Sequence, residues 1–353
     1  MIKISVLITT YNLEKYIAGA LESVLCQKGN FEMEILVGDD GSRDNTINVI
    51  ANYIMKYPEK IRLFIMHREE GINYNRVERS SANRINLLEH ATGDYICFLD
   101  GDDFYTDDRK FEKQLAYLEK DKSLSACTHN VVLYSADDSP MKAIEGQTLS
   151  RAKKEHIWTF DKYWSLEFIQ ANAMLFRNYY RNGNELFSKS LKEELDNNLA
   201  LKNNFDDNNI TFAFSLYGDI CYLPEIMGAY RQLEGSSWNG IDELKKNCSN
   251  MIGYSLEQML IELLSREGKR DKKYISLIKE ASLSRHYKDF AYLSEHKELL
   301  IKDNCQPFYD TAKKYNIEFA FMVYELSDNK NREFDKVFSR SVYANKKATN
   351  RTK

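Results

Sequence analysis

Carboxylate side chains cluster at two points of the sequence, each directly after a short run of apolar, β-branched residues. The first pair is Asp39 and Asp40, and the second group is Asp100, Asp102 and Asp103. If both runs are parallel strands, their carboxyl ends meet at one edge of a sheet, where ligands bind. Asp100 and Asp102 would then point to one side, about 6–7 Å apart along the chain. Two like charges at that spacing favour a hard cation, Mg²⁺ or Mn²⁺, that also carries substrate phosphates.

An ordinary turn is the competing interpretation of Asp100-Gly101-Asp102, because Asp-Gly is common turn chemistry. By itself the tripeptide does not decide between a turn and a metal site. The buried apolar strand that runs straight into three acids favours the metal site.

Other motifs with acids or bound nucleotides fit less well. A haloacid dehalogenase phosphatase would have Thr or Val where this chain has Phe104. An EF-hand loop that began at Asp100 would need Gly at Tyr105 and Glu at Phe111. A Rossmann dehydrogenase would have a glycine-rich loop after the first strand, and none is present.

The elements that must position these acids alternate between strands and helices. Continuous apolar runs predict buried strands at 4–9, 34–37, 61–66 and 95–99. Apolar residues at helical spacing predict helices between these strands. The alternation predicts an α/β fold with a mostly parallel central sheet and flanking helices.

Composition and charge exclude several functional classes. The chain has 353 residues and a net charge of −4, so nothing global favours a nucleic acid or an anionic membrane as partner. Its six cysteines include no CxxC pair, and no zinc site is predicted. No apolar stretch reaches the roughly 18 residues that a membrane span requires, and a signal peptide is not evident. We therefore expect a cytoplasmic protein, with peripheral contact to the inner face of a membrane left open.

Three segments carry a family resemblance: ISVLITTYN at 4–12, EILVGDDGSRD at 34–44 and GDYICFLDGDD at 93–103. In this order and approximate spacing they resemble family 2 glycosyltransferases, which are inverting, nucleotide-sugar-dependent enzymes of the GT-A fold. The resemblance covers roughly residues 3–240, and the three motifs together are highly specific.

The chain is divided into regions by the resemblance and by a change of sequence pattern near residue 241, after which apolar residues at helical spacing dominate. A GT-A catalytic domain is expected at 1–240, with a nucleotide-sugar-binding part at about 1–105 and an acceptor part at about 106–240. A helical C-terminal region is expected at 241–335. The segment 336–353 has six basic residues and no acidic one, and is expected to be a disordered tail.

For the donor side, the resemblance implies roles for residues of all three motifs. Thr9 and Tyr11 would line the nucleobase pocket, and Asp40 would bind the edge of the base. Within Asp100-Gly101-Asp102, which would hold the cation and the diphosphate, Asp100 would contact the ribose and Asp102 the metal.

Two further residues each allow two interpretations. Arg84 stands where the family often has a residue that contacts the base or the diphosphate, but an exposed helix arginine fits equally well. Asp103 would either bind the acceptor or cap the turn, and the cap is favoured.

For the reaction itself, the resemblance implies a carboxylate base at the start of a helix, about a dozen residues before a glycine. Asp207 fits the spacing to Gly218 better than Asp206 does, although both also suit a helix N-terminus. The segment 228–238 resembles the closing loop of the family, in which Arg231 would neutralise phosphate and Trp238 would stack on a sugar.

The resulting hypothesis is a metal-dependent, inverting transfer of a hexosyl or N-acetylhexosaminyl group from a nucleotide-sugar, with UDP as the favoured nucleotide. The acceptor would be a hydroxyl of a surface glycan or glycolipid, in polysaccharide biosynthesis. A nucleotidyltransferase and a non-catalytic nucleotide- or glycan-binding module are the alternatives. A homodimer through the C-terminal helices is left open.

Overall fold

The computed structural model describes residues 1–135, 150, 152–159, 170–233 and 242–296. Two compact units make up the chain: Met1–Trp158 with Glu167–Asn239, and Thr159–Leu166 with Gly240–Lys353. Trp238 and the predicted tail at 336–353 lie outside the described residues.

The first unit contains strands and helices in alternation. Its strands are β1 Lys3–Thr10, β2 Glu32–Asp39, β3 Ile61–Ile65, β4 Tyr95–Asp100, β5 Phe104–Tyr105, β6 Leu124–Ser135, β7 His156–Trp158, β8 Leu175–Arg177 and β9 Asp219–Gln232. Its helices are α1 Ile17–Leu25, α2 Thr46–Lys56, α3 Arg76–His90, α4 Lys110–Lys120, α5 Leu191–Asn197, α6 Leu199–Asn203 and α7 Asp207–Ser215. A 3-10 turn, Ala171–Ala173, precedes β8.

Among the described residues the strands form one sheet in the order β3-β2-β1-β4-β8-β6-β9-β5, with β7 beside β9. The strands β3, β2, β1 and β4 are all parallel, as are β6 and β9, while β8, β5 and β7 pair antiparallel with their neighbours. The predicted α/β fold with a central parallel sheet and flanking helices is confirmed. The four strands predicted from apolar runs correspond to β1–β4.

The apolar run of β1 explains why it lies in the middle of the parallel strands. Ile4, Val6, Leu7 and Ile8 are fully buried, since β1 has a strand on either side and other elements over both faces. Each such side chain contributes roughly 1.5–3 kcal/mol on burial. This core makes the carboxyl ends of β1, β2 and β4 a rigid platform.

Strand register then brings the motif residues together. Thr9 on β1 lies opposite Gly38 on β2 and Asp100 on β4. A Cβ atom on Gly38 would lie 1.9 Å from Oδ1 of Asn83, so a side chain at this position would displace α3. Both acid clusters therefore follow strands that end at the same edge of the sheet.

The second unit is described over two long helices, α8 Glu243–Glu267 and α9 Lys272–Glu295. A left-handed Gly268 ends α8, and side chains of both helices share a buried hydrogen-bond network around Glu257. In the part of the chain that the structure describes, no helix has the length and apolar character needed to cross a membrane.

Candidate active site

The turn after β4 is shaped by close approach to β1. The backbone N–H of Gly101 donates to the carbonyl of Thr9 at 2.8 Å. A Cβ atom on Gly101 would lie only 3.0 Å from that carbonyl oxygen and 3.1 Å from the Ile17 side chain. The hydroxyl of Thr9 also donates to Oδ1 of Asp100 at 2.7 Å. A side chain between the two acids would therefore be crowded against β1 and α1, and Thr9 orients the first acid.

Negative charge on Asp102 is unfavourable in the surroundings of this side chain. Its burial and then the nearby Asp100 carboxylate raise the pKa of Asp102 to about 7, although the cation of Arg231 acts in the opposite direction. A carboxylate in this environment gains from a cation that shares the charge.

Asp103 is bound by groups within the protein. Its side chain is buried, and it accepts hydrogen bonds from the backbone N–H of Arg231 at 2.9 Å and from Nδ2 of Asn172 at 2.6 Å. Burial and then its acidic neighbours raise the pKa of Asp103 well above its usual range. These hydrogen bonds come from β9 and from Asn172, so the favoured prediction that Asp103 caps its own turn does not match them; the carboxylate instead ties the acidic turn to β9. Contact of Asp103 with an acceptor stays a prediction.

Arg231 lies against the acidic turn. Its guanidinium donates to the backbone carbonyl of Asp102 and lies 4.6 Å from the centre of the Tyr16 ring. The side chain therefore braces the turn. Contact of Arg231 with a phosphate stays a prediction.

Arg84 is buried on α3, so the alternative of an exposed helix arginine is wrong. Its Nη2 lies 3.2 Å from Oδ1 of Asp100 and 3.6 Å from Oδ1 of Asp207. Burial alone would lower the pKa of Arg84, but the surrounding carboxylates raise it above its usual range. This arginine therefore joins the acidic turn after β4 to the start of α7.

The two acids at the start of α7 have different positions. Asp206 is the N-cap residue, and its Oδ1 accepts from the backbone N–H of Asn209 at 3.0 Å. Asp207, the first helical residue, faces Arg84 instead. Burial raises the pKa of Asp207 to about 7; Arg84 opposes this, and Asp100 adds to it. A carboxyl group with a pKa near 7 suits proton transfer at neutral pH.

The other acid pair, at the end of β2, is bound by hydrogen bonds and ion pairs within the protein. Asp39 accepts from the backbone N–H groups of Gly41 and Ser42 at 2.9 and 2.8 Å, and so caps the turn. Asp40 is bound by two arginines: Arg79 Nε donates to its Oδ1 at 2.6 Å, and Arg68 binds its Oδ2.

Arg68 and Arg79 were not predicted from the sequence. The guanidinium of Arg68 also lies 4.1 Å from the centre of the Tyr11 ring, whose side chain is exposed. The predicted base-pocket residues Tyr11 and Asp40 are thus brought together through Arg68. No sequence signal marks these arginines, because they follow β3 at irregular spacing and become neighbours only when α3 packs on the sheet.

A divalent cation fits the acidic turn on the chemistry of its donors. Within the described residues no group of three His, Cys, Asp or Glu side chains is arranged to hold a metal. Asp102, with Asp100 beside it, would supply carboxylate oxygens, and the remaining ligands would be phosphate oxygens and water. Mg²⁺ is commonly bound in this way, through one or two carboxylates and substrate phosphates. Leu233, where a His often stands in the resembling family, adds no ligand.

The fold is that of the GT-A glycosyltransferases, as a solved structure shows. The structure of S. aureus TarS residues 1–349 in complex with UDP-GlcNAc superposes with a TM-score of 0.58 at 18% identity, over 92% of this chain and 84% of that one. The predicted fold class is therefore confirmed.

Sequence comparison identifies the family. Residues 5–183 match the profile of Glycosyl transferase family 2, and the chain belongs to this family. The Mycobacterium tuberculosis protein Rv1520 is 26% identical over 272 residues, 77% of this chain and 71% of its own length. A putative glycosyltransferase of Bacillus subtilis, EpsE, is 37% identical over 118 residues, 33% of this chain and 39% of its own length.

Proposed function

We propose that this chain transfers a sugar from a nucleotide-sugar to an acceptor hydroxyl, with inversion at the anomeric carbon and with Asp207 as general base. The observation that carries the proposal is the meeting of three groups at one sheet edge: the acidic turn after β4, the buried Arg84 and the first residue of α7. The first would anchor the donor, and the last would accept a proton.

On the donor side, the nucleobase would lie over Tyr11, next to the Arg68–Asp40–Arg79 group. Asp100 would bind the ribose through Oδ2, because its Oδ1 already accepts from Thr9 and Arg84. Arg231, which braces the backbone of Asp102, would lie beside the diphosphate.

In the transfer step, the acceptor oxygen would bond to the anomeric carbon as the bond from that carbon to the diphosphate oxygen breaks. Asp207 would take the proton of the acceptor hydroxyl. Its raised pKa, about 7, means that a substantial fraction can accept a proton near neutral pH while keeping a strong affinity for it. Attack opposite the leaving diphosphate would give inversion.

Mn²⁺ or Mg²⁺, held by Asp102 and by the diphosphate, would neutralise the charge that develops on the leaving group. This cation would also relieve the repulsion between Asp100 and Asp102. The fit rests on two neighbouring carboxyl groups, Asp100 and Asp102, of which Asp102 is unfavourably placed for negative charge without a cation.

A UDP-sugar is the proposed donor, and the similar fold of TarS, whose structure contains UDP-GlcNAc, supports this choice. The sugar would be a hexose or an N-acetylhexosamine. The acceptor is proposed to be a hydroxyl of a surface glycan or glycolipid.

A donor screen tests the proposal. UDP-glucose, UDP-galactose, UDP-GlcNAc, UDP-GalNAc and GDP-mannose are incubated with the protein and Mn²⁺, and release of nucleoside diphosphate is measured with and without EDTA. We expect metal-dependent release from one UDP-sugar, and transfer once an acceptor glycan is added. If no nucleotide binds in the presence of Mn²⁺, the proposal fails.

The same screen separates the alternatives. A nucleotidyltransferase would release pyrophosphate from a nucleoside triphosphate and a sugar phosphate. A binding module would bind a nucleotide without turnover, and the Asp207→Asn variant would then behave as wild type.

A further inference from the structure

Arg84 occupies an unusual position for an arginine, since its side chain is 10% exposed. Its Nη1 donates to Oγ of Ser80 at 2.9 Å, one turn earlier on α3. Its Nη2 lies 3.2 Å from Asp100 and 3.6 Å from Asp207. Both terminal nitrogens are thus directed to groups of the protein.

The two carboxylates that Arg84 joins belong to separate elements. Asp100 ends β4, and Asp207 begins α7, which is more than one hundred residues later in the chain. A buried guanidinium is stable only when its charge is compensated, and removing one partner of such a group is strongly destabilising. The bridge therefore fixes the start of α7 relative to the acidic turn.

Without this bridge, the first turn of α7 would face repulsion. Asp100, Asp102 and Asp206 all act on Asp207 with negative charge, and Arg84 acts on it with positive charge. Nη2 alone reaches both carboxylates, and the bond from Nη1 to Ser80 fixes the plane of the guanidinium and so the direction of Nη2. A lysine ammonium is a point charge with rotatable donors and lacks this fixed geometry.

We propose that Arg84 is a positioning residue that holds the Asp207 carboxylate at the donor edge, and that it is not a ligand of the nucleotide. This inference rests on the proposed role of Asp207 as general base. It replaces the direct nucleotide contact that the family resemblance implies for Arg84.

The test compares Arg84→Met with wild type in two measurements. The dissociation constant of UDP in the presence of Mn²⁺ is measured by calorimetry, and turnover is measured with the donor found in the screen. We expect turnover to fall roughly 100-fold, the loss that a displacement of about 1 Å can cause. The dissociation constant of UDP should change by less than about 3-fold, because Arg84 does not contact the nucleotide and Asp100 is still held by the Thr9 hydroxyl.

Two further variants serve as controls. Arg84→Lys retains the charge without the planar guanidinium, and should recover part of the turnover. Arg76→Met removes an exposed arginine from the same helix and should match wild type in both measurements. Thermal unfolding of each variant verifies that it is folded. If Arg84→Met does not fold, turnover and UDP binding of Arg84→Lys are compared with those of wild type instead.

Crystal structures of the nucleotide-free variants give a readout that needs no donor. We expect the Asp207 carboxylate to leave its position in Arg84→Met, or to shift in Arg84→Lys. An unmoved carboxylate with unchanged turnover would overturn the inference, as would a dissociation constant of UDP that rises as much as turnover falls. If wild type binds no nucleotide at all, it is the proposed function that fails, and the crystal structures still test the position of Asp207.

Discussion

The two acid clusters at the edge of the sheet have similar sequences but different charge balance. At the end of β2, Asp39 is satisfied by backbone N–H groups, and Asp40 is bound by Arg68 and Arg79. At the end of β4, Asp100 has Arg84 as its ion-pair partner, and Asp102 is partly buried beside it with a raised pKa. One cluster is neutralised within the protein, and the other retains negative charge.

The difference indicates which cluster is suited to bind a cation. A carboxylate that already has two arginine partners gains little from a metal ion, because its charge is compensated. The acidic turn after β4, together with Asp207, gains most from an added positive charge. The cluster after β2 is instead suited to orient uncharged groups such as a nucleobase.

The largest expected effect is on turnover, from a substitution on the β4 side of the site that should leave nucleotide binding unchanged. Asp207→Asn should lower turnover about 10²–10⁴-fold, the contribution of a general base. The dissociation constant of UDP should stay within about 2-fold, because Asp207 does not contact the nucleotide. Donor turnover and calorimetry measure the two quantities.

The matched control for this variant is Asp206→Asn, at the neighbouring N-cap position. Asn caps a helix as well as Asp does, so this variant should keep its stability, and turnover should fall far less than in Asp207→Asn. Equal losses in both variants would contradict the assignment of the base to Asp207.

The next effect concerns the excess charge of the acidic turn. Asp102→Asn should weaken Mn²⁺-dependent binding of UDP by about 10–100-fold, since a carboxylate ligand is lost. The metal-free variant should melt at a higher temperature than wild type at pH 8, because the repulsion with Asp100 is relieved.

Calorimetry and thermal unfolding in EDTA measure both changes. Asp108→Asn, which alters a more exposed acid in the next loop, is the control and should leave binding unchanged. A lower melting temperature for metal-free Asp102→Asn would show that the acidic turn carries no excess charge.

At the β2 side, a smaller and different effect is expected. Asp40→Asn should raise the dissociation constant of UDP about 10-fold, in line with a lost charged hydrogen bond of about 1.5–3 kcal/mol. Turnover at saturating donor should change less than 3-fold. The exposed Glu70→Gln in the adjoining loop is the control, and a loss of turnover at saturation would remove the distinction between the two clusters.

The smallest effect is on the pH dependence of stability. The pKa values of Asp102 and Asp207 are raised to about 7 from the ordinary aspartate value of about 3.9. Between these values the folded protein binds more protons than the unfolded chain, so the stability of metal-free protein falls as pH rises through this window.

The melting temperature in EDTA should therefore fall by several degrees between pH 5 and pH 8, since each kcal/mol of lost stability lowers it by about 2–4 °C. The Asp102→Asn/Asp207→Asn double variant should show a flatter profile. If wild type and double variant change in parallel, the two acids are not the cause.

The first four strands and the acid clusters could be predicted because both depend on local patterns. The apolar runs of β1, β2 and β4 have the length and branching of buried strands, and each is followed at once by its polar residues. The choice between turn and metal site at Asp100-Gly101-Asp102 could not be made from the tripeptide. It depends on Thr9 and Arg84, which come from other elements.

Residues whose roles depend on packing were predicted less well. Arg84 had two interpretations because its neighbours along α3 do not show that Asp100 and Asp207 lie on either side of it. Asp103 received an acceptor role as one option because its burial and its bond from Asn172 arise from a distant segment.

The sequence by itself determined the α/β class, the family and the places where acids follow buried strands, because alternation and motif spacing are properties of neighbouring residues. Only the tertiary structure decided which acids are neutralised, which retain charge and which face Arg84. Charge balance depends on distances of a few ångströms between elements that are far apart in the chain. The pairing of Asp40 with Arg68 and Arg79, and the bridge from Asp100 to Asp207, exist only once α3 and α7 pack at the edge of the sheet.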